Sequence, residues 1–305
     1  MASHDLTTQL GPIRLRSLLV AASGTVGSVW EWAETADTSV YGAAVAKSVA
    51  PEPWEGRPAP RLAPIPVGML NGIGIQNPGI EAWSETMEKK IAGSEVPVWG
   101  SAVAHEPEGF AMVAKGLEAT GVAAVEVNLS CPNLEDGEMF SFDPGRSREV
   151  VEAVTSATGL PVGAKLSPNT PKIVEVAAAC QRAGAVFVVL TNTAFGFGIS
   201  LDDRRPLLSG GVGGYSGPGL KPISLRCVYE VAQSLPDLPI VGCGGISTGR
   251  DVVEYLMAGA RAVEAGTIHF AEPRAGARII KELRVEMTRL GVDEVDEVVG
   301  SVRPW

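Results

Sequence analysis

The chain has 305 residues, 45% of them hydrophobic and 20% charged, with 36 glycines and 22 prolines. That composition fits a compact, turn-rich, enzyme-like chain and excludes a disordered or fibrous one. A net charge of -10 with no compensating basic cluster argues against a nucleic-acid surface. No long apolar run behind a basic patch marks a secretory signal or a membrane anchor. Cys131, Cys180, Cys227 and Cys243 match no zinc or iron–sulfur spacing, and His4, His105 and His269 form no ligand cluster. No metal site is expected, and a reducing cytoplasm is the simplest location.

Leu6 to Leu15, turning at Gly11-Pro12, reads as a hairpin able to plug the bottom of a larger fold. Short apolar segments then alternate with helical patterns. Leu18 to Ala22 precedes a helix over Ser28 to Ala36, and Ala43 to Ala46 ends in Lys47-Ser48. Pro51 to Pro66 is proline-rich and reads as a long irregular loop. Val67 to Asn71 is followed by glycines and a helix over Ile80 to Ile91. Further strand–helix pairs are Pro97 to Trp99 with Glu108 to Glu118, Ala123 to Val127 with Arg148 to Thr155, and Val162 to Ala164 with Pro171 to Arg182. The last three strands are Val186 to Leu190, Ile240 to Gly242 and Ala262 to Ala265. Their helices span Pro222 to Ser234, Gly249 to Met257 and Gly276 to Leu290. The sixth unit carries a glycine-rich excursion over Gly196 to Gly219, within which Gly210 to Gly217 reads as a cover for a phosphate or a lid. Eight units predict a single (β/α)8 TIM barrel over residues 1–305, with an N-terminal β-hairpin and inserted loops at its C-terminal face. An open doubly wound sheet is the alternative, but no G-x-G-x-x-G follows the first strand.

A barrel gathers the carboxyl ends of its strands on one face. The tips collected there are Ser23-Gly24, Lys47, Asn71, Ser101, Asn128 to Asn133, Lys165, Asn192-Thr193, Gly244-Gly245 and Gly266-Thr267. Taken singly, each has an ordinary explanation as a turn, a cap or a solvated charge. Together they describe a pocket. Gly244-Gly245 and Gly266-Thr267, closing the last two strands, expose backbone N–H groups suited to a phosphate, helped by the start of the helix behind Thr248. A thiol, two lysines and several amides fit a phosphate-bearing cofactor, flavin mononucleotide (FMN) first among them, and a small polar substrate. A barrel aldolase or isomerase using the Lys165 amine, or a non-catalytic scaffold, are the competing readings.

Asn128-Leu129-Ser130-Cys131-Pro132-Asn133 resembles the active-site strand and loop of the class 1 dihydroorotate dehydrogenases. Gly68-Met69-Leu70-Asn71-Gly72-Ile73-Gly74-Ile75-Gln76-Asn77-Pro78-Gly79 resembles the substrate segment of their type B catalytic subunit. Lys165-Leu166-Ser167-Pro168-Asn169 and Ser216-Gly217-Pro218 match in order and spacing, so the resemblance spans essentially the whole chain. It implies oxidation of (S)-dihydroorotate to orotate in pyrimidine biosynthesis. Cys131 would take the C5 proton while a hydride moves from C6 to the flavin. Asn71, Asn128, Asn133 and Asn192, with Thr193, would hold the substrate. Lys47 would lie beside both substrate and flavin. Ser23, Gly24, Ser48, Ser101, Asn128 and Lys165 would contact the flavin, and Gly217, Gly244, Gly245, Gly266 and Thr267 would hold its phosphate. Ser101 stands where the family typically has asparagine, and Ser48-Val49-Ala50 departs from the usual alanine and threonines. The resemblance further implies a homodimer core flanked by electron-transfer subunits carrying FAD and a [2Fe-2S] cluster, a heterotetramer reducing NAD+. A fumarate-dependent type A enzyme, or a paralogue acting on a related pyrimidine, are the alternatives.

Overall fold

Eight parallel strands close into a barrel in the computed structural model, which describes residues 4–130, 138–303 and 305. The strands are β1 (Leu19–Ala21), β2 (Ala43–Val45), β3 (Val98–Ala102), β4 (Ala124–Asn128), β5 (Val162–Leu166), β6 (Phe187–Leu190), β7 (Ile240–Cys243) and β8 (Ala262–Ala265). They follow one another around the barrel in chain order. Seven helices among the described residues are long enough to cover it. These are α1 (Ile80–Ala92), α2 (Pro107–Ala119), α3 (Pro144–Ala157), α4 (Ile173–Arg182), α5 (Lys221–Ser234), α6 (Gly249–Ala258) and α7 (Ala275–Leu290). The predicted alternation is therefore observed. No helix among the described residues is long and apolar enough to cross a membrane.

Local chemistry sets the helix ends. Asp143 caps α3 by accepting from the Arg146 N–H, and Pro144 occupies its first turn, so α3 starts four residues earlier than the sequence pattern predicts. Thr248 and Asp251 form a capping box on α6, and left-handed Gly259 ends it. The helix expected over residues 28–36 shrinks to Trp30–Ala33, because Gly27 and Val29 both take positive φ just before it. The N-terminal hairpin pairs Thr8–Leu10 with Ile13–Leu15. A Cβ added at Gly11, in its turn, would sit 3.0 Å from Val186 Cβ, just ahead of β6, so the hairpin lies against the amino-terminal end of the barrel.

Side-chain alternation divides the barrel interior into layers. A Cβ on Gly100 would strike Leu117 of α2 and one on Gly242 would strike Tyr255 of α6, so these glycines face outward. Their strand neighbours Trp99, Ser101 and Cys243 therefore face inward. Trp99 and Phe187 approach with ring centroids 5.1 Å apart and form an aromatic floor, into which Gly163 makes room for Phe187. Above that floor the interior is charged, with Glu126, Lys165 and Glu264 all buried.

A second sheet, antiparallel and four-stranded, stands over the barrel mouth. Its strands run in the order Ala194–Gly196, Gly213–Ser216, Gly68–Asn71, Leu62–Ile65. The loop expected over residues 51–66 thus contributes the strand Leu62–Ile65, which is a correction, and the glycine-rich excursion over 196–219 contributes Gly213–Ser216. Gly213 and Gly214 are glycine for lack of space: added Cβ atoms would lie 2.3 Å from Leu208 Cδ1 and Thr193 Oγ1. This sheet has its own small buried cluster of Ala63, Leu70 and Leu208, separate from the barrel core.

His269 is buried beside the barrel mouth, with Nε2 2.9 Å from Tyr41 OH and Nδ1 3.1 Å from Thr25 Oγ1. Burial pushes its pKa down to about 4. Between the usual histidine value of about 6.5 and about 4, the unfolded chain binds a proton that the folded chain refuses. Stability is therefore complete above about pH 6.5 and falls as the pH drops towards 4, by on the order of 3 kcal/mol. Denaturant midpoints measured across that range should show this slope, and His269→Gln should flatten it.

Candidate functional site

A cavity of about 740 Å³ opens between the carboxyl ends of the barrel strands and the second sheet. That volume suits a cofactor together with a small substrate. Of the residues singled out in the sequence, Ser23, Gly24, Lys47, Ser48, Asn71, Asn128, Lys165, Asn192, Thr193, Gly217, Gly244, Gly245, Gly266 and Thr267 all line it. Cys131 and Asn133 lie outside the described residues. Ser130, next to Cys131 in the chain, lines the cavity.

Ser101 does not reach the cavity. The third strand runs on to Ala102, so Ser101 sits within the strand and not at its tip, and it is buried. Its hydroxyl shares a 2.8 Å hydrogen bond with the Ser48 hydroxyl, which accepts from Asn128 Nδ2 at 3.4 Å. Ser101 is therefore linked to the cavity only by its bond to Ser48, which does line it.

The amides of one wall are held by one another. Asn192 Nδ2 donates to Ser130 Oγ at 2.6 Å and Asn128 Oδ1 at 3.3 Å, while its Oδ1 accepts from the Thr193 N–H at 2.8 Å. Asn128 Oδ1 also accepts from the Ser130 hydroxyl at 3.2 Å. On the facing sheet, Asn71 Nδ2 donates to the Gly214 carbonyl at 3.2 Å. The network fixes which end of each amide meets a ligand, the requirement for reading a flat ring of alternating donors and acceptors.

Lys165 lies within β5, one residue before its end, and is 5% exposed. Its Nζ reaches across the barrel to donate to Glu264 Oε2 at 2.5 Å and lies 3.5 Å from Glu126 Oε1. Burial alone would lower the ammonium pKa, but the two carboxylates outweigh it and hold Lys165 above the ordinary lysine range. Burial first, and Glu264 second, push Glu126 well above the carboxylate range against the pull of Lys165. A Schiff-base lysine must be an unprotonated amine, so this environment counts against the aldolase reading. The two glutamates are the site residues that the sequence analysis left without a role. The available signal was one acidic residue inside each of two otherwise apolar strands, Ala124-Val125-Glu126-Val127 and Ala262-Val263-Glu264-Ala265. Cys243 borders the same cluster, and burial pushes its thiol up to about 12, so it stays an unreactive thiol.

At the other end of the cavity, the backbone N–H groups of Gly217, Gly245, Gly266 and Thr267 donate to no described residue. Four unpaired donors converging from two strand ends and one loop fit a phosphate. The start of α6 does not join them, correcting the expectation from the sequence. Asp251 Oδ2 accepts from the Ser247 and Thr248 N–H groups at 2.9 and 2.8 Å, and Glu282 accepts from the Gly249 N–H at 2.9 Å. Gly245 has φ +69°, and an added Cβ would lie 2.8 Å from Lys221 N. Gly245→Ala should strain this loop by about 1–3 kcal/mol, a loss that denaturant midpoints will report.

The dihydroorotate dehydrogenase family model matches residues 5–287. The chain belongs to the dihydroorotate dehydrogenase family. It is 39% identical over 304 residues to the dihydroorotate dehydrogenase B (NAD(+)) catalytic subunit of Citrifermentans bemidjiense, covering 99% of each chain. To the protein of the same name from Geobacter sulfurreducens it is 41% identical over 304 residues, again 99% of each. A crystal structure of the Eimeria tenella dihydroorotate dehydrogenase with ferulenol superimposes with a TM-score of 0.84 at 19% identity, covering 97% of this chain and 88% of that one. That likeness shows the barrel fold. Members of the dihydroorotate dehydrogenase family are flavin-dependent oxidoreductases.

Proposed function

We propose that this chain oxidises (S)-dihydroorotate to orotate with FMN as its cofactor, as the catalytic subunit of an NAD-linked type B dihydroorotate dehydrogenase in the cytoplasm. The observation that carries the reading is the convergence of Lys47, Asn71, Asn128, Asn192 and Thr193 on a cavity whose far end holds unpaired backbone donors. FMN, when bound, supplies the acceptor for the hydride leaving C6 of the substrate. The N–H groups of Gly217, Gly245, Gly266 and Thr267 would bind its phosphate, and Ser23, Gly24, Ser48 and Lys165 its remaining length. Lys47, whose Nζ lies 3.7 Å from where a Cβ on Gly24 would stand, supplies positive charge at the barrel mouth for a carboxylate substrate. The four amides, Asn133 among them, hold the substrate edge. Cys131 takes the C5 proton as general base. The type B assignment follows the full-length relatives, which are named NAD(+)-linked catalytic subunits. It implies a homodimer of this chain flanked by electron-transfer subunits carrying FAD and a [2Fe-2S] cluster.

The test is anaerobic mixing of the flavin-loaded chain with dihydroorotate. The expected result is rapid bleaching of the flavin band with an equal amount of orotate formed. NAD+ should restore the band only when the partner subunit is present. Bound flavin that stays oxidised would overturn the substrate assignment.

A further inference from the structure

The charged layer beneath the cavity contains an imbalance. Glu126 from β4, Lys165 from β5 and Glu264 from β8 meet inside the barrel, where the glutamates are at most 1% exposed. Cys243 of β7, a further titratable group, also borders them. Two carboxylates and one ammonium, all ionised, would leave one unbalanced negative charge in a dry interior, a costly arrangement. The hydrogen bonds point the same way. Glu126 Oε1, Glu126 Oε2 and Glu264 Oε1 are buried and accept nothing from the described residues. Lys165 is committed to Glu264, and its 3.5 Å separation from Glu126 is too long for a good hydrogen bond. Two carboxylates facing one another across a lysine, with three lone oxygens, need a proton between them.

We propose that Glu126 and Glu264 share one exchangeable proton over Lys165, forming a buried proton-holding site that sets the charge under the cofactor, with Glu264 as the positioning residue that anchors the lysine and supplies the second carboxylate. With the proton the layer is neutral overall, and without it the layer carries one negative charge. Burial and the Glu264 charge, which both favour the protonated form of Glu126, act in the same sense. This deepens the reading of the cavity as a flavin site and rests on it for its redox consequence. When two electrons arrive from the substrate, negative charge in the cavity draws one solvent proton onto a deprotonated site, and oxidation releases it. In the pH range where the oxidised protein has lost that proton, the reduced-to-oxidised flavin ratio at fixed potential should fall by a further factor of about ten per pH unit.

Two measurements on the purified full chain decide this. Infrared difference spectra should show a protonated-carboxyl stretch in the wild type at neutral pH. Glu126→Gln and Glu264→Gln should each lose it, since either change leaves a simple lysine–carboxylate pair. Flavin reduction followed against pH should show the extra tenfold dependence in the wild type and not in Glu264→Gln, a change that a merely structural glutamate would not cause. Absence of the band in the wild type overturns the proposal whether or not the variants fold, and so does a band that survives in both variants. The expected band pattern in a chain that takes up no flavin would uphold the proton site and refute the flavin reading instead.

Discussion

Lys165→Met should lose about 3–5 kcal/mol of stability and purify largely without flavin. The lysine is the one cation between two buried carboxylates among the described residues, bonded to Glu264 at 2.5 Å and facing Glu126 at 3.5 Å. Methionine keeps much of the stem volume and removes only the charge, so packing loss is a minor part of the expected effect. What remains is a pair of like groups that cannot both ionise in that space, and protonating them costs free energy at neutral pH. Denaturant midpoints should therefore fall steeply at pH 7 and recover partly in mild acid, where the carboxyls take up protons readily. Equal destabilisation at pH 5 and pH 7 would show that the lysine acts through packing. Lys165→Arg keeps the charge but not the reach or shape, and should retain more stability than flavin.

Cys131→Ala should reduce turnover of dihydroorotate by about 10²–10⁴-fold, the usual contribution of a general base, while flavin content stays that of the wild type. The residue follows Ser130 at the cavity wall and is the thiol the resemblance to the family places as base. Cys131→Ser should retain some activity that shifts to higher pH, because a hydroxyl gives up its proton far less readily than a thiol and so supplies less of the basic form. Rapid-mixing reduction of the bound flavin separates this step from reoxidation. Wild-type reduction rates in the alanine variant would move the proton-handling role to another group. Cys243 is no candidate, since burial keeps it protonated far above neutral pH.

The barrel was legible because eight solid apolar strands, each with a polar tip, can be counted without knowing where they pack. The tips Gly244-Gly245 and Gly266-Thr267 were legible for the same reason: their position in the repeat gives them a place on the rim. The second sheet was not legible. Its strands are short and rich in glycine and proline, and its central pairing joins residues more than a hundred positions apart, as in Tyr215 with Leu70. Nothing local in Gly213-Gly214 distinguishes a glycine demanded by a crowded neighbour from one that loosens a loop. Lys165 and Ser101 were read as strand tips because strand ends are the least certain boundary. Strand ends two and three residues later than expected, respectively, turned rim groups into interior ones. The partners of Lys165 lie 39 and 99 positions away, Glu126 on the neighbouring β4 and Glu264 on β8, which β5 faces only once the barrel closes.

The small cluster of Ala63, Leu70 and Leu208 has a consequence for the protein under heat. One wall of the cavity is bolted to the barrel core, while the opposite wall, which carries Asn71, rests on three buried apolar residues of its own. Regions with so little local support open well below the free energy of global unfolding. Warming should therefore blunt substrate affinity at temperatures where the barrel still holds its far-ultraviolet signature. Amide exchange should be quickest along residues 62–71 and 213–216, and the upper limit of useful activity belongs to that sheet.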